Sequence, residues 1–97
     1  MARLGDDEVR EALAGLSGWA LEGQAIRKTY TFPDFKGSMA FVMRVALCAE
    51  AKDHHPDILV TYNRVALTLS THDAGGLTSK DFALASQIDQ PAHDSPA

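Results

Sequence analysis

The sequence predicts a two-layer α+β sandwich, in which an antiparallel four-stranded sheet carries helices on one face. Two stretches, 19–32 and 58–71, contain apolar residues in alternation around a turn signal and therefore predict β-hairpins. Each hairpin precedes a stretch with helical spacing, at 35–52 and 78–89. With a short helix in front, the predicted order is α followed by ββαββα.

The first third of the chain predicts a short helix and then a hairpin. Asp6, Asp7 and Glu8 suit a helix N-terminus, because acidic side chains there complement the helix dipole. Apolar residues at Val9, Leu13 and Leu16 continue the helical spacing. Gly23 supplies the turn of the hairpin. The edge of this hairpin is open to pairing, so strand-to-strand dimerisation is expected.

A long amphipathic helix is predicted from Phe35 to about Lys52. Pro33 ends the preceding strand and Asp34 offers an N-cap. Apolar residues then recur at spacings of four and three, and we expect this broad stripe to lie on the sheet. The stripe comprises Phe35, Met39, Val42, Ala46 and Ala49, widened by Phe41, Val45 and Cys48.

The second hairpin and a last helix complete the predicted domain. Pro56 prevents continuation of the long helix, and Asn63-Arg64 is expected to form the hairpin turn. Thr78 and Asp81 match the capping box at a helix start, which is the simplest role for this acid. Residues 1–90 are thus predicted to form one domain, and 91–97 a flexible C-terminal tail.

Composition narrows the possible functions. The chain has 97 residues, 45% of them hydrophobic, which is enough for one core but leaves a small domain that a subunit interface would help. A net charge of −4 argues against binding to a nucleic-acid backbone. No apolar run approaches the roughly 20 residues that cross a bilayer. A single cysteine, Cys48, favours a reducing, cytoplasmic setting.

Histidines form the most informative pattern in the chain. His54 and His55 are adjacent at the predicted end of the long helix, and Glu50 lies one turn before His54. The second hairpin brings its two ends together, so His72 should lie near His55. Histidine titrates near neutrality and can therefore act as a general acid or base.

Three other interpretations of these residues stay open. The His54-His55 pair could be a solvated helix end, and Glu50 could simply pair with Lys52 or water. Three histidines and a carboxylate could bind zinc, but no His-x3-His pair is present and adjacent histidines project in different directions.

Trp19 is expected in the core rather than against a ligand, and His93 is assigned no role.

The pattern of these residues resembles the pterin-4a-carbinolamine dehydratases, also called 4a-hydroxytetrahydrobiopterin dehydratases. Seven anchors match with their gaps, and the resemblance covers roughly residues 4 to 90. The anchors are Glu50, His54, His55, Pro56, Tyr62, His72 and Asp81.

The resemblance implies an enzyme without metal or organic cofactor. Such an enzyme removes the C4a hydroxyl from the tetrahydropterin that an aromatic amino-acid hydroxylase leaves behind. It also implies the same two-layer fold, assembled into homodimers or homotetramers. His54, His55 and His72 would then be the acid–base set, with Glu50 orienting or tuning a histidine. Residues flanking the histidines would contact the pterin. These are Asp53, Pro56, Ser70, Thr71 and Asp73.

A different class of function also follows from the resemblance. Vertebrate members bind a homeodomain transcription factor and stabilise its dimer, so a non-catalytic protein-binding module is the alternative. An intact set of histidines favours the enzyme.

Overall fold

The computed structural model describes residues 2–90 and has the predicted order of elements. The predicted tail at 91–97 lies outside the described residues. Helices and strands occupy these ranges: α1 Asp6–Ala14, β1 Ala20–Glu22, β2 Ala25–Thr31, α2 Phe35–Lys52, β3 Asp57–Thr61, β4 Arg64–Leu69, a single 3-10 turn at His72–Ala74, and α3 Ser79–Ile88. Within 2–90, no helix has the length and apolarity to cross a membrane.

The sheet has the strand order β1-β2-β4-β3, and every neighbouring pair is antiparallel. Alternate residues of β2 and β4 point towards the helices, and several of them are fully buried, among them Ile26, Val65 and Leu67. They pack into one core with residues of α2 and α3 such as Val45 and Leu84. The predicted α+β sandwich is therefore confirmed, with a second sheet face that no helix within residues 2–90 covers.

The face of α2 that meets the sheet differs from the predicted one. The buried residues of α2 include Phe41, Val45 and Ala49, whereas Phe35 and Met39 are about half exposed. Periodicity shows that α2 has a broad apolar stripe, but it cannot show which edge of the stripe faces the sheet. A second apolar line along α2 stays uncovered in the single chain. It consists of Phe35, Met39, Met43 and Leu47.

The second hairpin turns one residue earlier than predicted. Thr61 pairs with Arg64, so Tyr62 and Asn63 form the connection, and Tyr62 has φ 50°. Asn63 is held against the end of β2, because its backbone oxygen accepts from Phe32 N at 2.8 Å and its side chain donates to Phe32 O at 3.1 Å. This anchorage, which the local sequence does not reveal, sets the position of the turn.

A polar cluster at Asp89 ties the C-terminal end of α3 to the first hairpin. One oxygen of Asp89 accepts from Trp19 Nε1 at 2.8 Å and from Lys28 Nζ at 3.1 Å, and the other accepts from Tyr30 OH at 2.5 Å. Burial, the hydrogen bond to Asp89 and the charge of that carboxylate raise the pKa of Tyr30 above its usual range, although Arg44 opposes this. Trp19 is 7% exposed, as expected for a core residue.

Candidate functional site

The end of α2 directs the two adjacent histidines into different surroundings. Asp53 adopts the left-handed conformation with φ 50°, and His54 N donates to Ala49 O at 3.1 Å. This is the Schellman arrangement, which reverses the chain direction as a helix ends. Aspartate tolerates the left-handed region better than most residues, because its short side chain can bond locally. Pro56 then starts the extended path into β3.

His54 points into the protein and contacts Asp81 of α3. Its Nε2 lies 2.6 Å from Asp81 Oδ1, and its side chain is only 11% exposed. The Asp81 carboxyl group is completely buried. The sequence pattern placed Glu50 beside His54, but the reversal at Asp53 removes His54 from the helical register, so Glu50 does not reach it.

The second oxygen of Asp81 continues this network. Asp81 Oδ2 accepts from Thr71 Oγ1 at 2.8 Å and from Thr78 N at 2.9 Å. Because the Thr71 hydroxyl donates its one proton to Asp81, the Thr78 hydroxyl must be the donor in the 2.8 Å hydrogen bond between the two threonines. Among the described residues, no buried side-chain polar atom lacks a partner. The predicted capping box is confirmed, and sequence reasoning missed that Asp81 also joins His54 to Thr71.

His55 faces the other way, into solvent and an open cleft. Its Nε2 lies 2.5 Å from Glu50 Oε2, and the two side chains are 55% and 76% exposed. Glu50 therefore contacts the histidine five residues ahead rather than the one four ahead.

The cleft beside His55 has a volume of about 360 Å³ and lies at one end of the helix-free sheet face. His72 lines it from the 3-10 turn, because β4 ends at Leu69, two residues before the end of the predicted hairpin at 58–71. The predicted proximity of His72 to His55 thus holds by a different local route. A cleft of this size suits a small organic ligand. Its other lining residues are Gln24, Ala25, Asp57, Thr68, Ser70, Gly75 and Gly76.

The structure brings only part of the predicted substrate-binding set to this cleft. Ser70 lines it, with its hydroxyl donating to Gln24 O at 2.8 Å. Thr71 is withdrawn because its hydroxyl is committed to Asp81. Asp53 is exposed at the end of α2, Asp73 is exposed in the 3-10 turn, and Pro56 joins His55 to β3; none of the three lines the cleft.

Two cleft residues that the sequence reasoning missed are Asp57 and Thr68. They are direct partners across β3 and β4, on the face away from the helices. The observed turn at Tyr62-Asn63 places Thr68 opposite Asp57, whereas the predicted turn at Asn63-Arg64 would have placed Ser70 there, so the sequence prediction gave no correct signal for this pair. Within residues 2–90, no group of three or more His, Cys, Asp or Glu side chains is arranged to hold a metal ion.

The sequence and the fold match a known group of proteins. A family model described as "Pterin 4 alpha carbinolamine dehydratase" matches residues 2–91. Relatives provisionally named pterin-4-alpha-carbinolamine dehydratase include one from Roseiflexus sp. (strain RS-1), 54% identical over 91% of this chain and 95% of its own length. Another, from Sulfurisphaera tokodaii, is 44% identical over 93% and 97%. The chain therefore belongs to the pterin-4a-carbinolamine dehydratase family.

Solved structures support the same assignment. A protein from Brucella melitensis, described as a transcriptional coactivator/pterin dehydratase, aligns with a TM-score of 0.85 and 40% identity, covering 90% of this chain and 95% of its own. A pterin dehydratase-like protein described as a RuBisCO assembly factor in the α-carboxysome aligns with a TM-score of 0.65 and 25% identity, covering 80% and 93%. The family thus includes a protein described by an assembly role as well as proteins described as dehydratases.

Proposed function

We propose that the protein is a hydro-lyase that dehydrates 4a-hydroxytetrahydropterins, such as 4a-hydroxytetrahydrobiopterin, to quinonoid dihydropterins. The observation that carries this proposal is the pairing of His55 and His72 in one open cleft, although they come from segments 17 positions apart. Two imidazoles on one small-molecule cleft supply both an acid and a base, which is what this reaction requires.

The reaction moves two protons, breaks the C4a–O and N5–H bonds, and forms the C4a=N5 double bond and a molecule of water. The C4a–O bond breaks as a general acid protonates the departing hydroxyl, which leaves as water. A general base takes the proton from N5, and the electron pair of that N–H bond forms the C4a=N5 double bond. One protonated and one neutral histidine exchange roles in each turnover, so the enzyme returns to its starting state after proton exchange with solvent. We assign these two roles to His55 and His72.

Glu50 acts on His55 by orientation. Its Oε2 occupies one ring nitrogen of His55, and Nδ1 is the atom we assign to the substrate proton. A carboxylate on one imidazole nitrogen fixes the ring and the tautomer of the other. Ser70, Asp57 and Thr68 offer hydroxyl and carboxyl groups to the polar edge of the pterin ring.

His54 serves as a positioning residue in this scheme. Through Asp81 it is bonded to Thr71, which immediately precedes His72. The buried network therefore holds the two segments that carry His55 and His72 at a fixed separation. Its contribution would come through geometry, since small displacements of catalytic groups reduce rates strongly.

A dehydration assay with synthetic 4a-hydroxytetrahydropterin tests the proposal. Product formation above the spontaneous rate is expected for the wild type and should be abolished in the His54→Ala/His55→Ala double variant. His93→Ala, at the histidine to which no role is assigned, is the matched control. Equal rates for the wild type and the double variant would refute the catalytic proposal.

A homo-oligomer follows from the same proposal. The exposed apolar line of α2 (Phe35, Met39, Met43 and Leu47) and the strands at the two sheet edges offer surfaces for further copies. Light scattering should give a dimer or tetramer, and Met43→Glu/Leu47→Glu should lower the mass.

An assembly or coactivator role is the second candidate, because the same apolar line could receive another protein. It predicts that these α2 variants abolish function while histidine variants preserve it.

The chemistry also implies what supplies the substrate. A 4a-hydroxytetrahydropterin arises when a tetrahydropterin-dependent hydroxylase transfers one oxygen atom, so we expect an aromatic amino-acid hydroxylase as the functional partner. No metal or organic cofactor takes part in the proposed steps. The single, buried Cys48 suits a cytoplasmic setting.

A further inference from the structure

A second cleft adjoins the histidine cleft, and nothing in the proposed reaction uses it. It has a volume of about 400 Å³ and lies between α1, the first hairpin turn and the end of the loop before α3. Gln24 lines both clefts. The two volumes are therefore neighbours that share one wall.

The shared wall is built by side chains rather than by continuous backbone. A Cβ added to Gly76, which lines the histidine cleft, would lie 2.4 Å from Arg3 Cδ and 2.9 Å from Gln24 Oε1. Arg3 and Gln24 thus cross directly over Gly76. Leu4 N donates to Leu77 O at 2.8 Å, which holds the chain end that carries Arg3 in this place. Both wall side chains are exposed and long, so they can adjust to a ligand that passes between the clefts.

The second cleft combines apolar walls with a cation. Leu4, Leu13, Leu21 and Leu77 contribute apolar surface. Of the two arginines that line the cleft, Arg10 is paired with Asp7 at 3.3 Å, whereas Arg3 makes no ion pair within residues 2–90. Asp6 also lines the cleft, so an anionic group would be directed to the Arg3 side.

We infer that the second cleft receives the C6 substituent of the pterin, and that it favours a substituent with a flat apolar segment followed by an anionic end. An aminobenzoylglutamate group, as in reduced folates, has this chemistry. The inference rests on the proposed function, because it takes the histidine cleft as the site of the pterin ring. Arg3 and Leu21 become specificity-determining residues that do not touch the reacting atoms.

Binding measurements on the full chain can test the inference apart from turnover. Titration calorimetry would compare 7,8-dihydrofolate with 6-methyl-7,8-dihydropterin, which has the same ring but lacks the long substituent. We expect dihydrofolate to bind about tenfold more tightly, since the extra ring buries apolar surface. Arg3→Gln should weaken dihydrofolate binding about threefold to fivefold, the range for a partly exposed ion pair. Leu21→Ser should weaken it similarly, and both variants should leave the affinity for the short ligand unchanged.

Arg64→Gln, at an exposed arginine on the far end of β4, is the matched control and should alter neither affinity. If the two ligands bind equally well, or if Arg3→Gln and Leu21→Ser weaken both by the same factor, the second cleft is not a substituent site and only this inference falls. If neither ligand binds the wild-type protein, the proposed function falls with it.

Discussion

His54 and His55 are neighbours in the chain, and each contacts a carboxyl group through Nε2, yet the two pairs belong to different regions. His54 and Asp81 are buried, and no buried side-chain polar atom of residues 2–90 lacks a partner. His55 and Glu50 are exposed at the edge of an open cleft. A buried polar pair is costly to break, because the remaining partner is left without water. An exposed pair contributes little to stability, and its groups stay accessible to a ligand.

The largest effect that can test this contrast is on turnover. We expect His55→Ala to lower kcat/KM for 4a-hydroxytetrahydropterin by about 10²–10⁴, the usual contribution of a positioned acid or base. The free energy of unfolding should change by less than about 0.5 kcal/mol, as at other exposed sites. Urea denaturation and the dehydration assay on the same preparation measure both. A large loss of stability would show that His55 supports the fold, as His54 does, and that the two histidines do not differ in this respect.

The next largest effect is on stability and concerns Asp81. We expect Asp81→Ala to lower the free energy of unfolding by about 3 kcal/mol, because His54, Thr71 and Thr78 N lose a buried acceptor together. Glu50→Ala is the matched control at the exposed pair and should cost less than about 0.5 kcal/mol. Denaturation midpoints of the two variants compare them directly. Equal losses would mean that burial does not distinguish the pairs.

A third carboxyl group, Asp89, extends the comparison to a site away from the histidines. Tyr30→Phe removes the hydrogen bond to Asp89 and should cost about 1 kcal/mol at pH 7. The pKa of Tyr30 is raised in the folded state, so the unfolded chain releases its proton first as pH rises. Stability from this group is therefore complete below the unfolded pKa of about 10 and declines above it.

Denaturation at pH 7 and at pH 11 checks this sign. Wild-type protein should lose more stability between the two values than Tyr30→Phe does. Tyr62→Phe, at the exposed second tyrosine, should show the wild-type loss. An identical decline in all three proteins would contradict the assignment to Tyr30.

The smallest expected effect sharpens the role of Glu50. Glu50→Gln keeps the shape of the side chain and should lower kcat by about threefold to tenfold without measurable loss of stability, since the exposed contact orients His55 rather than supporting the fold. The pH profile of kcat, measured for the wild type and for Glu50→Gln, tests this role. A changed profile indicates that Glu50 acts on His55. An unchanged rate and profile would show that Glu50 is a solvated helix-end residue.

Most of the fold could be predicted because it follows from local signals. The bounds of α2 were set by Asp34 and by Pro56, and the observed helix, Phe35–Lys52, agrees. The Gly23 turn was equally clear, with φ 62°. The turn at Tyr62 was misplaced, since its position depends on the bonds between Asn63 and Phe32. The prediction that the whole apolar stripe of α2 lies on the sheet was also inaccurate, because a broad stripe does not indicate which of its edges meets the sheet.

The candidate site divides in the same way. From the sequence, the resemblance to the family predicted Glu50, His54, His55 and His72 as the acid–base residues, and the hairpin pattern predicted that His72 lies near His55. The opposite directions of the two histidines, His54 inward to Asp81 and His55 outward to Glu50 and the cleft, follow from tertiary contacts that the sequence did not reveal. The physical reason is the left-handed residue at Asp53, which reverses the chain between the helix and the histidines, together with the docking of α3, which supplies a buried acceptor from 27 positions away.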